Sequence, residues 1–275
     1  MDIRDATAVV TGGGTAIGRA IALELARRGA RVVVLGRRRE LLDETVALAD
    51  GRCTAAACDV TDPADVARAF AATGPVDVLV NNAGSFAAVG ALWDVDAEAW
   101  WGDVTTNLKG PMLCTKAVLP AMMARNSGII VNLDGGGGAN GANRGGSGYG
   151  ASKAALARLT ETLARELASA GSEVQVYGMF PGLVRSQMTE NLIATPERAR
   201  WQGFVEASFA QGRDRPSSDC ARAIAELIGN AGPDLSGRIF DVDDDFAEVD
   251  RRRAHILAAD SRIMRLRPLP WEPKR

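Results

Sequence analysis

The sequence predicts an α/β fold, a doubly wound parallel sheet of about seven strands with helices on both faces. Three observations predict it. Short, continuously apolar runs recur along the chain, as in strands buried on both faces. Segments of helical periodicity separate those runs, so strand and helix alternate from Ala6 to Phe180. The first strand-to-helix junction is Thr11-Gly12-Gly13-Gly14-Thr15-Ala16-Ile17-Gly18, a glycine turn inside a strand–turn–helix–strand unit.

Each element has a local reason. Residues 6–10 form the first apolar run, and 19–28 a helix with Ile17, Ile21 and Leu25 on one face and Gly29 as its stop. Residues 31–35 make the second strand and 40–49 a helix. Residues 54–58 make the third strand, and 63–72 a helix that Asp62 caps and Pro63 opens. A strand at 76–80 ends in Asn81-Asn82-Ala83-Gly84, and one long helix is expected over 97–125. A strand at 128–133 leads through a glycine-rich loop to a helix at 147–170 and a strand at 173–180. Residues 235–242 supply the last strand. Without a linker-like break or internal repeat, residues 1–250 read as one domain, and 251–275 as a basic, proline-containing extension.

Composition narrows the function. The 275 residues are 47% hydrophobic and 24% charged, with a formal net charge of -2, which suits a soluble globular protein. That balance calls for neither nucleic acid nor an anionic membrane as partner. No signal peptide or membrane-spanning segment is read, so a cytoplasmic protein is expected. Cys53, Cys58, Cys114 and Cys220 lack metal or redox spacing and read as buried thiols of a reducing compartment. A single histidine, His255, argues against a multi-histidine metal site, and no metal is expected.

The chemistry centres on Gly148-Tyr149-Gly150-Ala151-Ser152-Lys153, which opens a long helical segment. Tyr149 and Lys153 lie four apart, on one helix face. A phenol titrates near ~10 and is a poor proton donor at neutral pH. An ammonium one turn away is expected to lower that pKa and let the hydroxyl exchange a proton with a substrate oxygen. The glycine turn brings backbone close to a ligand, and the helix behind it presents its positive end to a pyrophosphate.

Taken in order, the turn at 11–18, Asp59-Val60, Asn81-Asn82-Ala83-Gly84, Asn107, Tyr149 with Lys153, and Pro181-Gly182 resemble the short-chain dehydrogenase/reductase family over residues 5–245. The resemblance implies a Rossmann-type sheet, a nicotinamide cofactor, and hydride transfer between an alcohol and a carbonyl. It implies that Gly12, Gly14, Thr15, Ile17 and Gly18 hold the cofactor at the turn, that Asp59 and Val60 flank the adenine, that Asn81 and Ala83 border a ribose, and that Gly84 belongs to the same binding set. Lys153 would hold the nicotinamide ribose and Ser186 would touch the carboxamide, with Pro181, Gly182 and Val184 in the same binding set. Tyr149 becomes the general acid/base. A homo-oligomer, dimer or tetramer, is implied, with the helices of the Tyr149 region at its interface.

Two of these positions have a physical reading of their own. Pro111 offers no N–H to the Asn107 carbonyl, which is therefore expected to be free to hold a water in a proton path from Lys153. The second strand runs into Gly36-Arg37-Arg38-Arg39 with no acid to accept from a ribose hydroxyl. Arg37 and Arg38 suit a ribose 2′-phosphate instead, so NADP(H) is expected over NAD(H).

The chain departs from the family pattern in three places. Ala16 replaces a glycine of the turn. The family's serine after the fifth strand is missing from Val131-Asn132-Leu133-Asp134-Gly135-Gly136-Gly137-Gly138, where Asp134 is the only side chain available to substitute. Ionised, Asp134 only accepts hydrogen bonds; buried and protonated, it can donate one. A serine returned at 134 or 135 is expected to raise activity. Asp243-Asp244-Asp245 stand where small residues usually end the last strand, and are expected to face solvent or to pair with arginines of a neighbour.

Leu183, Met188, Leu192, Ile193, Trp201, Phe204 and Phe209 fall where the family carries a mobile lid. With Trp93, Trp100 and Trp101 they suggest a bulky, apolar or aromatic small-molecule substrate. The tail after Arg251-Arg252-Arg253 is expected on a neighbouring subunit. The function expected is an NADP(H)-dependent oxidoreductase. The alternatives are a redox-silent cofactor-binding scaffold, or a redox-neutral dehydratase or cyclase using Tyr149 and Asp134.

Overall fold

The computed structural model describes residues 1–139 and 141–264. Seven parallel strands form one sheet in the order β3-β2-β1-β4-β5-β6-β7. They are β1 (Thr7–Thr11), β2 (Arg31–Gly36), β3 (Cys53–Ala57), β4 (Val78–Asn81), β5 (Ile129–Leu133), β6 (Gln175–Phe180) and β7 (Ile239–Asp241). The order reverses between β1 and β4, and a cleft opens there beyond the carboxyl ends of the strands. Register follows from burial: Val9 opposes Val33 on one side and Leu79 on the other, so three apolar residues stack across the centre.

Helices α1 (Ala16–Arg27), α2 (Arg39–Ala47) and α3 (Pro63–Thr73) follow the first three strands. As expected from Asp62 and Pro63, the Asp62 carboxylate accepts the Ala64 N–H and Pro63 opens α3. The helix expected over 97–125 is interrupted. It comprises α4 (Ala97–Val104), a π turn at Thr105–Lys109 and α5 (Gly110–Ala124). In the π turn the Gly110 N–H reaches back to the Thr105 carbonyl, one residue further than in an α-helix. Pro111, unable to continue the regular ladder, sits just after it.

Helix α6 (Ser147–Ser169) is the long helix that Tyr149 and Lys153 open. The lid stretch is more regular than its sequence suggests, with α7 (Gln187–Asn191) and α8 (Pro196–Ala210). Helix α9 (Ser217–Asn230) buries Cys220, Ala221, Ile224, Leu227 and Ile228 and packs on α1. Helices α10 (Phe246–Arg251) and α11 (Arg253–Ala258) insert Phe246, Val249 and Ile256 into the main core.

The C-terminal acids and arginines pair within this chain. Asp243 meets Arg215, Asp244 meets Arg262, and Asp245 caps α10 through the Ala247 N–H at 2.9 Å. Arg251 and Arg252 pair with Glu248, and Arg253 with Asp234 and Asp250. The Ile239 N–H donates to the Arg262 carbonyl at 2.8 Å. The tail up to Met264 therefore folds back on its own domain, and the remainder of the extension lies outside the described residues. Cys53, Cys58, Cys114 and Cys220 are buried free thiols, and burial pushes Cys114 up to about 12. No helix among the described residues is long and apolar enough to cross a membrane.

Candidate active site

The cleft at the strand ends encloses about 470 Å³. Its floor is the glycine turn and the start of α1. Gly12 has φ +65°, and a Cβ on Gly18 would lie 2.2 Å from the Gly12 carbonyl oxygen, so the turn closes only with glycine at 18. Ala16 takes φ 43°, a left-handed conformation that strains any residue with a Cβ by roughly 1–2 kcal/mol. The cost of replacing a glycine there is thus backbone strain as well as a methyl group.

Thr15 precedes α1 without a side-chain cap, and the first turn holds no acid. The positive helix end is unneutralised and faces the cleft, the arrangement a pyrophosphate requires. Arg37 and Arg38 line the same cleft, exposed. Neither side chain makes an ion pair or hydrogen bond among the described residues, whereas most neighbouring arginines are paired. The residues present therefore fit a phosphorylated dinucleotide.

Gly12, Gly14, Thr15, Ile17 and Gly18 line the cleft, as do Asp59, Val60, Ala83 and Gly84. Tyr149, Lys153, Asp134, Pro181 and Ser186 line it as well. Four candidates do not reach the wall. Asn81 is buried and donates to Asn132 Oδ1 at 2.8 Å, so its neighbour Asn82 lines the cleft instead. Gly182 packs against Arg215, and buried Val184 bridges to Arg215. Asn107 is fully buried: it donates to the Ser85 carbonyl at 2.8 Å and Ser152 Oγ at 3.0 Å, and accepts from the Ser85 N–H at 2.7 Å.

Tyr149 and Lys153 face the cleft one turn apart on α6. The Lys153 ammonium donates to the Leu133 carbonyl at 2.7 Å and lies 5.7 Å from the Tyr149 ring centroid. Burial lowers Lys153 to about 8, against an opposing pull from Asp134. Burial first, then the charges of Asp134 and Asp103, push the Tyr149 phenol up rather than down. The expected lowering by Lys153 is not met in the chain alone, because the ammonium is directed at a carbonyl and desolvation dominates.

Asp134 is 5% exposed, and its carboxylate oxygens lie near the Gly135 and Ala139 N–H groups without a well-formed hydrogen bond among the described residues. Burial raises its pKa, opposed by the Gly135 N–H, by Lys153 and by the Ala139 N–H. Protonating that group lowers the cost of burying it.

The missing serine has a geometric counterpart. A Cβ on Gly135 would lie 2.2 Å from the Tyr149 hydroxyl oxygen, so the phenol occupies the space a side chain at 135 needs. A serine at 135 cannot simply be added. Ser147 is committed elsewhere, accepting from Trp100 Nε1 at 3.0 Å.

Several contributing residues escaped the sequence reading. Phe86 stacks on Tyr149 with 4.3 Å between centroids and 7° between planes. Buried Asp103 accepts from Ser85 Oγ at 2.6 Å and from the Ala87 and Ala88 N–H groups at 2.8 and 3.0 Å, shaping the loop that carries Phe86. Thr106, Gln187, Met188 and Asn191 also line the cleft. Trp93, Trp100, Trp101 and Trp201 do not. Trp93 and Trp101 are exposed, and Trp201 packs on Gly145.

Comparison with known proteins agrees with this geometry. The family model for short chain dehydrogenase matches residues 6–197. Oxidoreductase UcpA of Escherichia coli strain K12 is 39% identical over 196 residues, 68% of this chain and 72% of the relative. The granaticin polyketide synthase putative ketoacyl reductase 1 of Streptomyces violaceoruber is 38% identical over 218 residues, 76% of each chain. Among solved structures, a single-residue variant of actinorhodin polyketide ketoreductase with NADPH aligns with TM-score 0.75 and 32% identity, covering 86% of this chain and 95% of that one. A Rossmann-like seven-stranded parallel sheet, an uncapped helix behind a glycine turn, and Tyr149 with Lys153 at one cleft thus meet a matching family model, and this chain belongs to the short chain dehydrogenase family of oxidoreductases.

Proposed function

We propose that this oxidoreductase uses NADP(H) to interconvert a carbonyl and an alcohol on a bulky, largely apolar small molecule. The observation that carries the reading is the meeting of Tyr149 and Lys153 with the start of α1 and Arg37 at one cleft. A solved ketoreductase of the same fold was crystallised with NADPH, which supports the cofactor choice.

In this reading Arg37 and Arg38 take the ribose 2′-phosphate, and the α1 N-terminus with Gly12 and Gly14 takes the pyrophosphate. Asp59 and Val60 flank the adenine. When bound, the nicotinamide supplies or accepts the hydride. Tyr149, kept protonated by burial, gives its proton to the carbonyl oxygen in the reducing direction. Lys153 holds the ribose and replaces the proton. Asn107 keeps α6 and the Ser85 loop in register around that path. Asp134, whose pKa burial raises, is a further donor whenever it carries its proton.

The apolar substrate follows from the hydrophobic cluster to which Tyr149 belongs, with Phe86, Leu183, Met188, Leu192, Ile193 and Phe209. Oxidation of NADPH with a panel of ketones, lost in Tyr149→Phe, is the expected result. Dinucleotide binding without turnover on any of them would favour the redox-silent alternative, which rests on Asp134 and the glycine run standing where the family carries its serine. A homodimer or homotetramer is proposed alongside, to be read from the mass in light scattering.

A further inference from the structure

The lid and the active-site tyrosine are joined by a short relay of contacts. Gln202 lies in the middle of α8, yet its backbone leaves the helical region at φ -115° and ψ 21°. Its side chain is completely buried. Its Nε2 donates to Asn143 Oδ1 at 3.1 Å and to the Arg144 carbonyl at 2.8 Å. Both acceptors belong to the glycine-rich loop that runs into α6.

The relay continues through positions with no room for a side chain. A Cβ on Gly145 would lie 2.5 Å from Trp201 Cβ, and one on Gly146 would lie 2.5 Å from Phe86 Cζ. Phe86 in turn stacks on Tyr149. At the far side, Arg198 of the same helix donates to the Ala87 carbonyl at 3.1 Å. Helix α8 therefore grips both loops that flank the phenol.

Glutamine is an expensive residue for simple filling. Its Oε1 is buried and lacks a partner among the described residues, at a cost of about 1–3 kcal/mol. A leucine would occupy similar space without that cost. What glutamine adds is the pair of donors.

We propose that Gln202 is a positioning residue for Tyr149: its carboxamide latches the lid helix α8 to the loop before α6 and so holds the Phe86–Tyr149 stack in place. The proposal rests on the reading of Tyr149 as the proton-transferring group. The latch lies away from the glycine turn and the arginines, so its loss leaves dinucleotide binding intact.

The test compares Gln202→Leu, Asn143→Leu and Asn143→Asp, the last of which keeps the accepting oxygen. Amide hydrogen exchange over residues 141–146 should accelerate about tenfold or more in the two leucine variants and stay at the parent rate in Asn143→Asp. kcat should fall about tenfold or more in the same two variants, with the dissociation constant for NADPH within about twofold of the parent. Unchanged exchange in both leucine variants would mean the contact is packing alone. Faster exchange with unchanged kcat would equally overturn the proposal, because the latch would then not act on Tyr149. If Gln202→Leu fails to fold, Asn143→Leu decides. If the parent protein turns over no ketone, the reductase reading fails by itself, and so does any role of the latch in positioning Tyr149 for it; exchange then reports only whether the contact exists.

Discussion

The rings of Phe86 and Tyr149 lie face to face, 4.3 Å between centroids and 7° from parallel. The phenol is thereby held from one side by a ring, while its hydroxyl fills the space over Gly135. Two constraints on one small group should be coupled. Gly135→Ala is expected to lower kcat/KM about tenfold or more by pushing the hydroxyl out of line. Phe86→Ala relaxes the opposite wall, so the double variant should lose less than the sum of the two singles. A double-variant cycle on kcat/KM checks this, and strict additivity would show that the two contacts act independently.

Asp103 accepts three hydrogen bonds from the Ser85–Ala88 loop while fully buried. Asp103→Asn keeps the shape but turns an amide N–H toward an N–H donor. The expected loss is about 1–3 kcal/mol of stability, read by urea denaturation. A change within about 0.5 kcal/mol, the range of a featureless surface substitution, would place the loop's organisation elsewhere.

Lys153 carries its charge in a site where burial lowers its pKa to about 8, from 10.5. Below pH 8 both folded and unfolded chains hold the proton, and the folded one bears the desolvation cost in full. Between about pH 8 and 10.5 the folded chain releases the proton first, so this cost fades as pH rises. The shift corresponds to about 3 kcal/mol. Lys153→Met should therefore gain more thermal stability over the parent at pH 7 than at pH 10. An equal difference at both pH values would show that the ammonium is not desolvated.

Arg37 and Arg38 stand at the cleft without partners among the described residues. Replacing both with alanine should weaken NADPH binding by about 10–100-fold and leave NADH binding within about twofold, since two charge-assisted bonds at exposed side chains are together worth roughly 1.5–3 kcal/mol. Titration calorimetry with both dinucleotides separates the cases. Equal weakening of the two would assign the arginines to a phosphate they share.

Much of the fold was legible because its signals are local. Continuous apolar runs marked the strands, and Asp62 with Pro63 marked the start of α3. The βα alternation implied a parallel sheet, and the glycine turn placed α1. The π turn at Thr105–Lys109 was not legible, although Pro111 hinted at an irregularity, because a proline says where a ladder breaks and not how it is repaired. Helix α9 escaped notice because its apolar stripe acquires meaning only against α1.

The identity of the cleft's chemistry, Tyr149 and Lys153 one turn apart behind a glycine turn, was set by spacing along the chain, since helical geometry converts four residues into one face. Which neighbours bear on that phenol was decided only by the folded molecule. Phe86, Gly135 and Gln202 lie far from one another in sequence, and their effect comes from shared volume and desolvation, which exist only once the strands have brought the loops together. The same cause reversed the direction of the Tyr149 shift: an ammonium one turn away can be read from residue order, but the loss of water around a hydroxyl cannot.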